Sequence, residues 1–109
     1  MGTFALQANT TGTNNVSVGG YSLLSNTTAS NNTAVGNVAL DANTTGSDNV
    51  GIGYASLSQS TTGYGLTAIG RQALYSNTTG ARNTAVGYQA GYSNTTSANS
   101  TFVGAYTGY

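Results

Sequence analysis

Four side chains of this chain carry charge at neutral pH: Asp41, Asp48, Arg71 and Arg82. Lys, Glu, His, Cys, Trp and Pro are absent altogether. General acid–base catalysis calls for His, Glu, Lys or a tuned pair of Asp residues. Asp41 and Asp48 occupy different places in the repeat defined below, and neither place carries an acid elsewhere. Hydroxyls are abundant, but a Ser or Thr nucleophile needs a base beside it, and the chain offers none. Gly-x-Gly strings such as Gly51 to Gly53 precede no helical pattern and no repeated basic residue, so a phosphate loop is not expected. With no His, no Cys and no recurring Asp, the chain has no metal-ligand set either. The inventory points away from an enzyme and calls for no cofactor. Zero net charge likewise argues against nucleic acid, whose binding rests on Lys and Arg neutralising phosphates.

What chemistry remains belongs to surfaces. Eight tyrosines are present and thicken toward the C-terminal half. A tyrosine joins a flat apolar ring to a hydroxyl and so suits contact with sugars or protein. The candidate contact residues are Arg71, Tyr75, Arg82, Tyr88 and Tyr92, with either cation able to pair an acidic sugar. The competing reading has these tyrosines covering turns and half-burying against the next repeat, with the arginines serving solubility. Asn-x-Ser/Thr sequons are frequent, and those at Asn9, Asn26, Asn43, Asn77 and Asn94 recur at one place in the repeat. If modified, they would line one edge with regularly spaced glycans.

The elements that position these residues follow from a period. Gly19, Gly36, Gly53, Gly70, Gly87 and Gly104 are spaced by 17 residues without an insertion, and Asn-Thr-Thr recurs in the same phase with Ser60 in place of one Asn. A short period held through the chain is the signature of a solenoid. Counting coil positions from Asn14, the coils are 14–30, 31–47, 48–64, 65–81 and 82–98, with partial coils at both ends of a single repeat domain, 1–109. Met1 takes the place equivalent to Val18, and the chain reads as a segment of a longer fibre. Phase-locked Val and Ile, tyrosines and zero net charge argue against the disorder that so polar a composition would otherwise suggest.

Position 3 is β-branched throughout (Val16, Thr33, Val50, Thr67, Thr84, Thr101), and position 5 is Val or Ile throughout. Position 4 between them is small until Phe102. That alternation predicts a short strand with two unlike faces, ended by the glycine of position 6. A second short strand is predicted over positions 8–11, where position 10 is Leu23, Leu40, Leu57 and Leu74 before it becomes Gly91 and Gly108. Asn-Thr-Thr-Gly at positions 13–16 predicts a turn. The expected fold is an all-β solenoid, a parallel β-roll of six to seven 17-residue coils, with Val/Ile of position 5 and Leu of position 10 inside. Stacked at roughly 4.8 Å per coil, it spans about 30 Å, with like residues above one another and an Asn ladder bonded from coil to coil. Both strand faces look built for close packing. If Val and Ile fill the roll, the small residues let neighbouring chains approach; the opposite assignment is also open, and either leaves an apolar stripe that favours association.

The strings Asn31-Asn32-Thr33-Ala34-Val35-Gly36, Asp48-Asn49-Val50-Gly51-Ile52-Gly53 and Arg82-Asn83-Thr84-Ala85-Val86-Gly87 resemble the Asn-Ser-Val-Ala-Ile-Gly head repeat of trimeric autotransporter adhesins. The run from Asn83 to Thr96 is also similar to repeats of bacteriophage tail fibres. The resemblance implies a left-handed parallel β-roll, three chains about one axis, and a place outside the cell, on a cell surface or on a virion. It carries no binding residue across, because the shared motif is structural. The expected function is a fibrous, non-enzymatic surface-recognition or adhesion protein, a tail-fibre or adhesin segment that spaces or mediates attachment. Its expected partners are itself, as homotrimer or end-to-end filament, and a host-surface glycan or protein. A purely structural extracellular filament, decorated with glycans at the Asn-Thr-Thr repeats, is the alternative, and an ice-binding solenoid using Thr ladders a lesser one. No apolar run approaches the ~20 residues of a membrane span, so no insertion is expected.

Overall fold

The computed structural model describes residues 2–109; the place expected for Met1 lies outside them. It is a rod of 34 × 22 × 17 Å. Six strands, β1 (Val16–Val18), β2 (Thr33–Val35), β3 (Val50–Ile52), β4 (Thr67–Ile69), β5 (Thr84–Val86) and β6 (Thr101–Val103), form one parallel sheet in sequence order. Each residue pairs with the one 17 places on, as Ser17 with Ala34 and Val18 with Val35. The β-solenoid expected from the period is the fold observed.

Which way the strands face is a correction. Position 4 points inward and positions 3 and 5 point outward: Ala34, Ala68 and Ala85 are fully buried, whereas Val18 is 43% and Ile52 36% exposed. The expectation that Val and Ile of position 5 lie inside is therefore overturned. The reason is wall thickness. Leucines of position 10 come from the opposite wall, and Leu23, Leu40, Leu57 and Leu74 are all completely buried, as expected. A methyl built on Gly51 at position 4 would already lie 3.3 Å from Leu40 Cδ1 and 3.1 Å from Ser56 Oγ. One leucine and two small residues, those of positions 4 and 9, fill the roll in each leucine-bearing coil, and a valine at position 4 would overpack it.

The predicted second strand is also corrected: positions 7–11 are a run of turns. Position 8 and position 10 both take left-handed backbone conformations, as at Val38 (φ 52°) and Leu40 (φ 52°). Bonds consequently run alternately up and down the stack: Val38 N–H donates to Gly20 O (2.9 Å) and Leu40 N–H to Ser56 O (3.0 Å). Such a φ costs a non-glycine residue roughly 1–2 kcal/mol. Burying a leucine side chain returns about 1.5–3 kcal/mol, so the strained site is net favourable where it holds Leu. Position 6 needs glycine outright: Gly53 has φ 127°, and an added Cβ would sit 2.6 Å from Gly70 O in the next coil.

The Asn ladder is present, and it is double. At position 13, Asn26 Nδ2 donates to Asn9 Oδ1 (2.9 Å) one coil back and to Ala29 O (3.0 Å) in its own turn, and Asn43 repeats the pattern. At position 2, Asn32 Nδ2 donates to Gly46 O (3.0 Å) while Asn32 Oδ1 accepts from Asn49 N–H (2.9 Å). The interior asparagines of both columns are fully buried. Each bond adds only about 1 kcal/mol, but a buried amide without one costs more than that, so the columns hold the register of the stack.

Candidate functional site

The outward side of the sheet is a chemically uniform surface. Its side chains are those of positions 3 and 5, and every one is Val, Ile or Thr. Val16, Val18, Ile52, Ile69, Val86 and Val103 are its most exposed aliphatics. Sequence reasoning identified these residues but assigned position 5 to the interior. β-branched residues favour strands on either face, so their identity alone does not choose one.

The first exposed side chains beyond each border of the sheet stand at positions 1 and 7. Position 7 contains Tyr54, Arg71 and Tyr88; position 1 contains Asn31, Asp48, Gly65 and Arg82. The Arg71 guanidinium lies 5.2 Å from the centroid of the Tyr54 ring, leaning one coil back along the rod. Arg82 lies 5.8 Å over Tyr64 and donates from Nε to Asn99 Oδ1 (2.9 Å). Asn31 Nδ2 donates to Asp48 Oδ1 (3.1 Å). The two arginines are thus on opposite borders of the sheet and do not form one patch.

The tyrosine candidates make a second cluster. Tyr75, Tyr92 and Tyr109, all at position 11, stack face to face at 5.1 Å, and Tyr88 meets Tyr106 edge-on at 5.4 Å. Tyr106 in turn meets Tyr109 at 6.0 Å, which joins the two groups. Stacking leaves Tyr75 and Tyr92 half-buried, with ring faces engaged by their own neighbours. Of the five candidates, Tyr75, Tyr88 and Tyr92 are brought together, while Arg71 and Arg82 each cover a ring elsewhere.

Asp41 stands in the same column, two coils before Tyr75. It accepts a hydrogen bond from Ser58 Oγ (2.7 Å), yet partial burial pushes its carboxyl above the ordinary carboxylate range, outweighing that bond and those from its backbone. Burial disfavours the charged form.

Asn26, Asn43 and Asn77 lie in the interior with no exposed surface, their amides engaged in the ladder. A glycan on any of them has no room in the folded roll, which corrects the expectation of a glycan-lined edge; Asn9 and Asn94, in the outer coils, are partly exposed. The hydroxyls of position 14 donate to the next coil, as Thr27 Oγ1 to Thr44 O (3.3 Å), while Thr28, Thr45, Thr62 and Thr79 of position 15 are exposed.

Among the described residues there is no pocket and no group of three potential metal ligands, and no helix is long and apolar enough to cross a membrane. Comparison with protein-family models, curated proteins and solved structures returns no match.

Proposed function

We propose that this chain is a segment of a fibrous, non-enzymatic surface-recognition or adhesion protein, a tail-fibre or adhesin shaft outside the cell, on a cell surface or on a virion. In this reading it assembles side by side as a homotrimer, with the outward face of the sheet turned toward the common axis. One observation carries it: a face of Val, Ile and Thr, free of any charge, runs along six consecutive strands. Water-exposed apolar surface of this regularity favours burial against a like surface, and closed symmetry about the rod axis buries it on every copy. The resemblance of its repeats to adhesin heads and phage tail fibres agrees with that assembly and supplies the attachment role. A glycan array and a host-cell pull-down with the purified segment separate an attaching segment, which is retained, from a spacer, which is not.

A second reading rests on a different feature of the same face. Thr33 and, beyond an interrupting Val50, Thr67, Thr84 and Thr101 stand in a column beside the Val/Ile column of the sheet, which sets hydroxyls and methyls side by side as an ice surface would require. In this reading the Thr ladder is the one on the sheet. Recrystallisation inhibition by a chain that stays monomeric would favour it over the fibre.

A further inference from the structure

The sheet face is narrow. Six strands at roughly 4.8 Å by three residues at roughly 3.3 Å give about 300 Å². A standard stable interface buries about 800 Å² on each partner. If the face is where copies meet, its two borders must contribute, and their side chains are unlike.

We propose, resting on the self-association reading above, that copies of this chain associate in parallel and in register, with the position-7 border of one chain against the position-1 border of the next, and that Arg71 of one chain pairs with Asp48 of its neighbour. Rotation about the rod axis carries the far border of one roll to the near border of the following one, whatever the number of copies. An antiparallel face-to-face pair instead sets like border against like border, where Arg71 finds no acid. Two observations support the rotational arrangement. Arg71 and Asp48 lie on opposite borders of one face. Their levels agree: the Arg71 guanidinium leans back over the ring of Tyr54, in the same coil, 48–64, as Asp48.

Stacking on Tyr54 also leaves the N–H edge of the guanidinium available to a carboxylate. Within one chain the pair cannot form, because three strand residues and both turns separate the two side chains by on the order of 15 Å. Any coupling between them is therefore intermolecular.

Charge reversal tests this. Sedimentation equilibrium on the wild type, Arg71→Asp, Asp48→Arg and the double reversal is expected to show association weakened at least tenfold in each single variant and largely restored in the double. The single effects should shrink in high salt, which screens exposed charges. Circular dichroism confirms that each variant retains the roll. An assembled wild type that is indifferent to both single changes, or a double variant no better than the singles, overturns the pairing and leaves self-association standing. A monomeric wild type removes both. As a second measurement that does not rely on charge, Arg71→Cys chains mixed with Asp48→Cys chains should give the mixed product with a short thiol cross-linker, since the native chain has no cysteine. Products linking position 71 only to position 71 would contradict the parallel arrangement.

Discussion

Ser60 and Leu66 converge on one point in the turn: a methyl built on Gly63 would come within 2.9 Å of Leu66 Cδ1 and 3.0 Å of Ser60 Oγ. One coil later the same two positions are Asn77 and Asn83, and Asn83 Nδ2 donates to Asn77 Oδ1 (3.3 Å). A polar pair has thus been exchanged for a short hydroxyl and a leucine that fills the volume. The exchange leaves Asn43 Oδ1 and Ser60 Oγ buried without partners, and places a leucine where the repeat would offer the Asn83 N–H an acceptor.

The double change Ser60→Asn, Leu66→Asn is expected to stabilise the roll. It restores about three hydrogen bonds at roughly 1 kcal/mol each and relieves the orphaned oxygens, against the roughly 2 kcal/mol lost with the leucine. Ser60→Asn alone overpacks against Leu66 and should destabilise by about 1–3 kcal/mol, so the two sites are strongly non-additive. Thermal unfolding of the four proteins measures this; a double variant less stable than the wild type contradicts it.

A second exchange closes the C-terminal coil. The ring of Phe102 occupies the space beside Gly91, where an added Cβ would lie 2.7 Å from Phe102 Cδ2, and it also abuts Gly108. The aromatic therefore replaces the leucines that position 10 has lost. Phe102→Ala should cost about 3–5 kcal/mol, and adding Gly91→Leu to it should recover part of that by restoring the Leu-with-Ala packing of earlier coils. Denaturant unfolding reads both; Phe102→Ala without effect would contradict the packing.

These exchanges mark where the sequence was readable and where it was not. The period, the strand at positions 3–5, the buried leucines and an Asn ladder all follow from residue spacing, because stacking sets like residues above one another. The orientation of the strand was not readable, since β-branched, small, β-branched reads equally well facing either way. It was decided by Leu40 crossing the roll to Gly51. Nor could the small-then-leucine pattern of positions 9 and 10 reveal left-handed turns: Leu40 at φ 52° breaks the ordinary preference of its residue type and is held there by burial. The clue to the Phe102–Gly91 exchange was present, in that both positions depart from the repeat within one coil of each other. Of the candidate site, the tyrosine cluster follows from shared coil positions, whereas the separation of Arg71 from Arg82 follows only from which border of the sheet each one flanks.

Inside and outside of the sheet are distinguished by paired substitutions. Ala34→Val adds two methyl groups to a filled interior and should cost about 1–3 kcal/mol. Val35→Thr, one residue on, keeps a β-branched residue on the outward face and should leave the melting temperature of an unassembled chain nearly unchanged. Equal losses in the two variants would contradict the assigned facing.

Stability should also depend on pH through Asp41. Its folded-state carboxyl titrates above the ordinary value of 3.8, so the folded chain holds that proton more tightly than the unfolded chain does. The resulting contribution is complete below the unfolded value and is lost as pH rises through the folded one. Unfolding free energy is therefore expected to fall as pH is raised from about 3.8 through the shifted value. Asp41→Asn, measured by denaturant titration across that window, should flatten the slope; an unchanged slope would assign it to another group.

The mass of the chain in solution tests the central claim most directly. Multi-angle light scattering on the wild type should give three times the 10.9 kDa chain mass. Ile52→Asp, which places a charge in the middle of the outward face, should give a folded monomer with the same circular dichroism. A wild type that stays monomeric at every concentration, or an Ile52→Asp chain that unfolds without first dissociating, would contradict an exposed sheet face that joins copies of this chain.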